Sequence, residues 1–334
     1  MPTYSVITTI AEPSKSVREL VMKLSAADGH LVVVGDQKGP DSYDTDVTTF
    51  FSLEAQAELD FKLANKLPTC HYARKNVGYL YAIGQNADCI YETDDDNAPL
   101  AQWKVRPLRV EARALQNRGW VNVFRYFTDE LIWPRGFPLD SVRNGQADFD
   151  ISGAERVTVE APIQQALADN SPDVDATWRL LHDKGITFDQ GPSIYLGPGA
   201  WCPINSQSTW WWPQVYPLMY LPSFCTFRMT DIWRGFIAQR CLWEMGSGVV
   251  FHASEVYQDR NAHNLMQDFE DEIPGYLGNR RLAAVLDALS LKSGVGNALD
   301  NLVSCYEALI KENFFPSDEL ALVKAWAKDI ERIT

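Results

Sequence analysis

Asp94, Asp95 and Asp96 directly follow the short run Cys89-Ile90-Tyr91-Glu92-Thr93, and Asn97 closes the stretch. An apolar run of this length, bounded by a turn signal, reads as a buried strand. Three consecutive carboxylates at its end repel one another and are costly to bury unpaired. A divalent cation would resolve the conflict. Mg2+ and Mn2+ take hard oxygen ligands, keep some of their water and share other positions with phosphate oxygens. A strand end in an open α/β sheet is also where ligands bind. A solvated acidic turn is the alternative for a bare run of aspartates. The strand in front of this run, and the neighbours described next, favour the cation.

The elements needed to place these carboxylates can be read around them. Residues 4–10 form a β-rich run ending at Thr8-Thr9. Pro13 and Ser14 open a helical pattern through Val17, Leu20, Val21 and Leu24, and residues 30–35 give a second buried strand ending in Asp36. This is the strand–helix–strand crossover of a parallel sheet. Residues 47–51 read as a third short strand and 53–66 as a helix. Within residues 72–83, Val77, Leu80, Tyr81 and Gly84 follow at helical spacing, with Arg74, Lys75 and Asn76 in the first turn. The helix dipole disfavours cations there unless an anion binds at the N-terminus, so a phosphate role is weighed above an exposed basic turn. One unit thus carries Thr8, Thr9, Asp36, Arg74, Lys75, Asn76 and Asp94–Asp96 at strand and helix ends. Neither G-x-G-x-x-G nor G-x-x-x-x-G-K-[ST] is present, which leaves a nucleotide held through a metal–carboxylate bridge.

The bulk properties narrow the class. The 334 residues suffice for one large domain or two small ones, and 46% hydrophobic with 12% aromatic content fits a sizeable core. A net charge of −14 argues against a general nucleic-acid binder. The six cysteines show no CxxC pair, so they read as small buried hydrophobes in a reducing compartment. With no signal peptide and no apolar run long enough to span a bilayer, the expectation is a soluble, cytoplasmic chain.

The second half is less explicit. Residues 120–127 read as a strand, 132–138 as a rigid loop, and 154–165 as holding another strand; a helix forms by residues 178–181. Residues 191–208, rich in Gly, Pro, Ser and Asn, precede Trp210-Trp211-Trp212, which could stack a sugar or a base, although core is the better reading for any single tryptophan. Residues 224–229 read as a short strand, 230–245 as a helix led by Asp231, and 248–253 as a strand. On its own, Asp231 is an ordinary N-cap. Helices over 280–291, 297–311 and 317–333 are assigned packing and no chemistry.

Several long segments carry a resemblance. VVVGD at 32–36, YARKNVGYLYAI at 72–83, IYETDDDN at 90–97, PDVDA at 172–176, CPINSQST at 202–209 and DIWRG at 231–235 resemble the STELLO family of glycosyltransferases, over roughly residues 4–275. More distantly the pattern resembles the reversibly glycosylated polypeptides, which act as UDP-arabinopyranose mutases. The resemblance implies an α/β, GT-A-like fold: a Rossmann-like nucleotide-binding sheet with helices on both faces, plus a C-terminal helical segment. It implies a domain over 1–275, with a nucleotide-sugar half at 1–100 and an acceptor half at 101–275, and a helical extension over 276–334 packed on it.

By the same resemblance, Asp94–Asp96 take the place of the metal-holding DxD motif. Asp94 and Asp96 would reach Mn2+ or Mg2+, Asp36 the base or ribose, and Arg74 and Asn76 the nucleotide. A C-terminal histidine would complete the metal shell; His263 is preferred to His252 because it lies in a polar segment and not inside a strand. Asp231 would be the acceptor-side acid, with Asn205, Gln207, Trp233 and Arg234 beside it. The leading expectation is a metal-dependent transferase using a UDP-sugar and an acceptor of unknown identity. In an inverting enzyme Asp231 is the general base; in a retaining one it positions the acceptor or stabilises an oxocarbenium-like centre. Asp173, Asp175 and Asp259 are next in line as bases. The competing readings are a nucleotide-sugar mutase or isomerase and a non-catalytic sugar-nucleotide or protein-binding domain. Oligomeric state is left open.

Overall fold

The structure, a computed structural model, describes residues 2–143, 151, 153–261 and 264–334. In chain order the regular elements are β1 (Thr3–Thr8), α1 (Lys15–Ser25), β2 (His30–Val34), β3 (Thr48–Phe51), α2 (Leu53–Glu58), α3 (Lys75–Gly84), β4 (Cys89–Thr93), β5 (Asn97–Pro99), β6 (Arg109–Leu115), β7 (Gly119–Trp120), α4 (Leu139–Arg143), β8 (Arg156–Glu160), β9 (Ile163–Asp169), α5 (Ala176–His182), β10 (Ile194–Leu196), β11 (Ala200–Trp201), β12 (Ser208–Trp211), α6 (Thr230–Glu244), β13 (Val249–Gln258), α7 (Leu265–Asp287), α8 (Ala298–Lys311) and α9 (Glu319–Ile333).

Period-two alternation builds the nucleotide-side half. Ile7, Leu31 and Val33 point to one face and pack on Val17, Leu20, Val21 and Leu24 of α1. Val6, Val32 and Val34 point to the other face and pack on Val77 and Leu80 of α3. Both faces of the parallel strands β3-β2-β1-β4 are therefore covered by helices. The sheet continues through β12-β9-β13-β10-β6-β8 as a mixed sheet, with β5 on β13. This is the mixed α/β architecture expected of a GT-A-like protein. β2 lies on one side of β1 and β4 on the other, so the strand order reverses at β1, the position where an open sheet leaves a crevice at its carboxyl ends. Trp210 and Trp211 are fully buried on β12, so the tryptophan run is core.

Several elements differ from the sequence expectation, each because tertiary groups capture the backbone. The helix expected over 53–66 ends at Glu58, since the Asp329 carboxylate of α9 accepts from the N–H groups of Lys62 and Leu63 at 2.9 and 2.8 Å. Residues 123–126 form a 3-10 turn, not a strand: Val123, Phe124 and Phe127 are buried together, a helical spacing, and the Asn122 amide donates to the Ile132 carbonyl. Residues 227–229 are likewise a 3-10 turn, with the Ser223 and Phe224 N–H groups donating to Glu319. The helix expected from 280 begins at Leu265, capped by Asn264, and passes through Pro274 and the boundary drawn at 275. Trp326 and Tyr306 of the last helices share one core with α3 and α6.

Gly78 sets the distance between α3 and the sheet. A Cβ there would stand 2.5 Å from Val6 Cγ1 and 2.8 Å from Val34 Cγ2. Gly78→Ala is expected to destabilise by about 1–3 kcal/mol through overpacking; a urea midpoint equal to that of the parent protein would show that α3 has room to move.

Candidate active site

The parallel strands β1, β2, β4, β9 and β13 deliver their C-terminal ends to one cavity of about 420 Å3. Thr8 and Thr9, Gly35 and Asp36, and Asp94–Asp96 line one side; Arg135, Asp173, Ser206, Gln207, Asp231 and Gln258 line the other. The expected residues from both halves thus meet in one place, although not all of them reach it.

Each aspartate is held differently. Asp94 accepts from Tyr72 Oη at 2.9 Å and from the fully buried Lys75 ammonium at 3.0 Å. Lys75 also donates to the Thr93 carbonyl at 2.5 Å. Asp95 accepts from Thr9 Oγ1 at 2.5 Å, across the β1–β4 junction where the strand order reverses, and its carbonyl accepts from Ser14, the cap of α1. Burial, and then the charge of Asp94, raises its pKa. Asp96 has no cation beside it among the described residues: its oxygens accept from Gln258 Nε2 at 3.2 and 3.1 Å. Burial first, then Asp94, pushes its pKa to about 6.

Across the cavity, Arg135 makes two bidentate pairs. It holds Asp173 at 2.7 and 2.8 Å and Asp231 at 2.9 Å through both nitrogens. Asp231 is not the N-cap of α6; Met229 is, without a side-chain bond. The Asp231 carboxylate also accepts from the N–H of Ile232 at 3.0 Å and from the N–H and hydroxyl of Ser206, each at 3.2 Å. Burial alone would raise its pKa, but Arg135 outweighs that and brings it to about 2. Tyr72 Oη lies 2.5 Å from Ser206 Oγ. The hydrogen bonds therefore run without a break from Asp94 through Tyr72, Ser206 and Asp231 to Arg135 and Asp173.

Other expected site residues stand elsewhere. Arg74 lines the cavity, yet donates inward to Gln56 and the Leu67 carbonyl. Asn76 is fully buried, bonds both backbone groups of Leu221 at 2.8 Å as a structural cross-link, and does not line the cavity. Lys75 lies beneath Asp94 and not on the cavity surface. Asp36 lines the cavity while anchoring a loop, accepting from the N–H groups of Cys70 and His71 at 2.9 and 3.0 Å. On the acceptor side, Gln207 lines the cavity and donates to Gln258 at 2.8 Å. Asn205 is buried against Gln165. Trp233 points to Asn279 and Phe315, and Arg234 pairs in the core with Glu92 at 3.1 Å. Asn205, Trp233 and Arg234 are not among the residues lining the cavity.

His263 lies outside the described residues. His252 is buried in a different cavity, between Ser193 and Gln164. Among the described residues no three His, Cys, Asp or Glu side chains form a metal-ligand cluster. Asp94 and Asp96 nevertheless suit a hard cation that keeps its water, because the Asp96 carboxylate is partly buried, faces the cavity and is met only by amide donors. Tyr72, Arg135 and Gln258 were not singled out from sequence. Arg135 sits between Pro134 and Gly136 in the rigid loop, and that fixed backbone around a lone cation is the signal that could have marked it.

The fold and site define an α/β protein with a charged cavity at the carboxyl ends of its parallel strands. A family model described as STELLO glycosyltransferases matches residues 228–334. Two Arabidopsis thaliana proteins, "Probable glycosyltransferase STELLO1" and "Probable glycosyltransferase STELLO2", are 26% and 25% identical over 98% of this chain and 44% of their own length. Over these spans the chain is similar to the STELLO glycosyltransferases. The chain spans about half the length of these relatives. No helix among the described residues is long and apolar enough to cross a membrane.

Two stability measurements check the electrostatics. Asp96 has a raised folded pKa, so the folded state binds the extra proton between about pH 4 and 6, and stability falls as pH rises through that window. Asp96→Asn should therefore raise Tm at pH 7.5, with the gain fading towards pH 4; a constant or negative effect would show that Asp96 is already compensated. Asp231 has the opposite sign: its contribution is present above about pH 4 and is lost only as pH falls towards 2. Asp231→Asn breaks a buried pair and should cost about 3 kcal/mol at neutral pH, the low end for such pairs because Arg135 keeps Asp173. Near-parental melting, the outcome expected of an ordinary cap, would contradict the fork.

Proposed function

We propose that the chain is a metal-dependent glycosyltransferase that moves a sugar from a nucleoside-diphosphate donor, a UDP-sugar, to a hydroxyl acceptor. The observation that carries this reading is the meeting of Asp94–Asp96 with the ends of β1 and β2 in one cavity, with Asp231 facing them from the other half. Thr8, Thr9, Gly35 and Asp36 form the nucleoside end, and Arg74 adds positive charge there. Asp94 and Asp96 would hold Mn2+ or Mg2+, which when bound offsets charge building on the leaving diphosphate. Lys75 pairs with Asp94 and fixes its carboxylate, and Thr9 fixes Asp95.

Asp231 fits one of its two roles better. A carboxylate held near pKa 2 is a weak acceptor of an acceptor's proton at neutral pH, since efficient general bases lie near the working pH. Asp173 shares the Arg135 fork, Asp175 is consumed as the buried cap of α5, and Asp259 is exposed and does not line the cavity. In this reading Asp231 positions the acceptor through Ser206 and stabilises positive charge at the sugar carbon, which goes with retention of configuration. The same low basicity also favours a nucleotide-sugar mutase, which needs no external hydroxyl; product analysis without acceptor separates the two.

The direct test is thermal unfolding with UDP, with and without Mn2+. A ligand that binds only the folded state at 100 times its Kd stabilises by about 2.7 kcal/mol. The shift should need both components in the parent protein and vanish in Asp96→Asn; equal shifts in both proteins would remove the carboxylates from donor binding. A second test is the anomer released when donor is slowly hydrolysed by water. The donor's own configuration is expected, and the inverted anomer would restore a general base to the site.

A further inference from the structure

Beyond the Arg135 fork, and apart from Arg74 on the nucleoside side, the cavity wall carries three more guanidinium groups, from Arg179, Arg228 and Arg260. Arg179, on α5, is only 5% exposed. One nitrogen donates to the Pro172 carbonyl at 2.7 Å, and the group lies 5.4 Å from the Trp178 ring. Among the described residues no carboxylate stands within ion-pair distance of it. Arg228 gives Nε to Glu272 at 2.8 Å, and its far nitrogen is 3.9 Å from Asp173. Arg260, two residues beyond Gln258, holds Asp268 at 2.8 Å. Burial lowers the pKa of Arg179 to about 10, and the charge of Arg260 and of Arg228 adds to that; Arg260 is lowered by burial and then by Arg228. Guanidinium groups ordinarily titrate above 12. Three of them crowded in one wall carry a mutual repulsion that an oxyanion would relieve, and their planar forks match the two oxygens of a carboxylate or phosphate.

Arg228 lies 3.9 Å from Asp173, at the far end of the hydrogen-bonded path from Asp94; Arg179 donates to the carbonyl of Pro172 beside Asp173, and the charge of Asp173 also acts on Arg260, so this wall is assigned to the acceptor half. We propose that Arg179, Arg228 and Arg260 form an oxyanion subsite for the acceptor, which therefore carries a carboxylate or a phosphate beside the hydroxyl that receives the sugar. The assignment to the acceptor rests on the transferase reading of the cavity.

The experiment is calorimetric titration of inorganic phosphate and, separately, of glucuronate into the protein saturated with UDP and Mg2+, in the parent protein, Arg179→Gln and Arg260→Gln. At least one anion should bind the parent complex. Each variant should weaken that anion about tenfold or more, the loss of a charge-assisted pair, and change the Kd for UDP by less than about twofold. Tighter phosphate identifies a phosphorylated acceptor, and tighter glucuronate an acidic sugar. The proposal is overturned if neither anion binds once UDP is present, or if the variants weaken UDP as much as the anion, which would give the arginines to the donor diphosphate. If UDP itself fails to bind the parent protein, the transferase reading falls. Phosphate titration of the free protein then still decides the subsite: loss of binding in the variants supports it, and no binding or no loss overturns it. Arg260, on the less buried segment after β13, keeps the test open if Arg179→Gln does not fold.

Discussion

Three carboxylates in succession at the end of one buried strand are the constraint on which the rest of the site depends. They cannot all be ionised in a partly buried place without separate compensation. Asp94 is compensated from below by a buried ammonium, Asp95 sideways by a threonine hydroxyl across the β1–β4 junction, and Asp96, among the described residues, by the neutral amides of Gln258 and the Asn261 backbone and no cation. The result is graded: Asp94 is paired, Asp95 is fixed but disfavoured by burial, and Asp96 carries a charge that is the most unfavourable of the three until something positive arrives. Lys75 can reach Asp94 only because α3 lies close on the sheet, and Gly78 permits that approach.

The second consequence is a continuous polar floor joining two halves that are far apart in sequence. Tyr72 and Ser206 link Asp94 to Asp231. Burial first, and then Asp94, holds the Tyr72 hydroxyl well above its ordinary pKa, so it stays protonated. Its single proton goes either to Asp94, with Ser206 donating to Tyr72, or to Ser206, with Ser206 donating to Asp231. The floor thus offers two hydrogen-bond directions, and charge arriving at Asp94 biases which one is taken. Buried networks with every member satisfied are rigid, which suits a surface that must hold two ligands at a fixed distance.

Much of this was legible in sequence because local signals and tertiary demands agreed. The alternation in residues 4–10 and 30–35, the Ser14 cap and the apolar run before Asp94 all describe structure that forms as written. The acidic cluster was legible for the same reason: like charges at a strand end are conspicuous in one dimension. Where the reading failed, a distant group had taken over. Asp329 and Glu319, from the last helix, capture the backbone of residues 62–63 and 223–224, and no local pattern announces that. Arg74, Lys75 and Asn76 looked like one basic turn, but successive helical positions point in different directions: one reaches the cavity wall, one lies under Asp94, and one crosses to Leu221. Asp231 looked like a cap, and the cation that defines it, Arg135, lies 96 residues earlier in the chain.

The central claim is that the graded aspartates hold a cation together with a nucleoside diphosphate. A crystal grown with UDP and Mn2+, with diffraction recorded on either side of the manganese absorption edge, tests it most directly. The account predicts one anomalous peak within coordination distance of the Asp96 carboxylate, bridging to the diphosphate, with the uracil end towards Thr8 and Asp36. UDP bound in the cavity with no manganese at Asp94–Asp96, or manganese bound away from them, would contradict it.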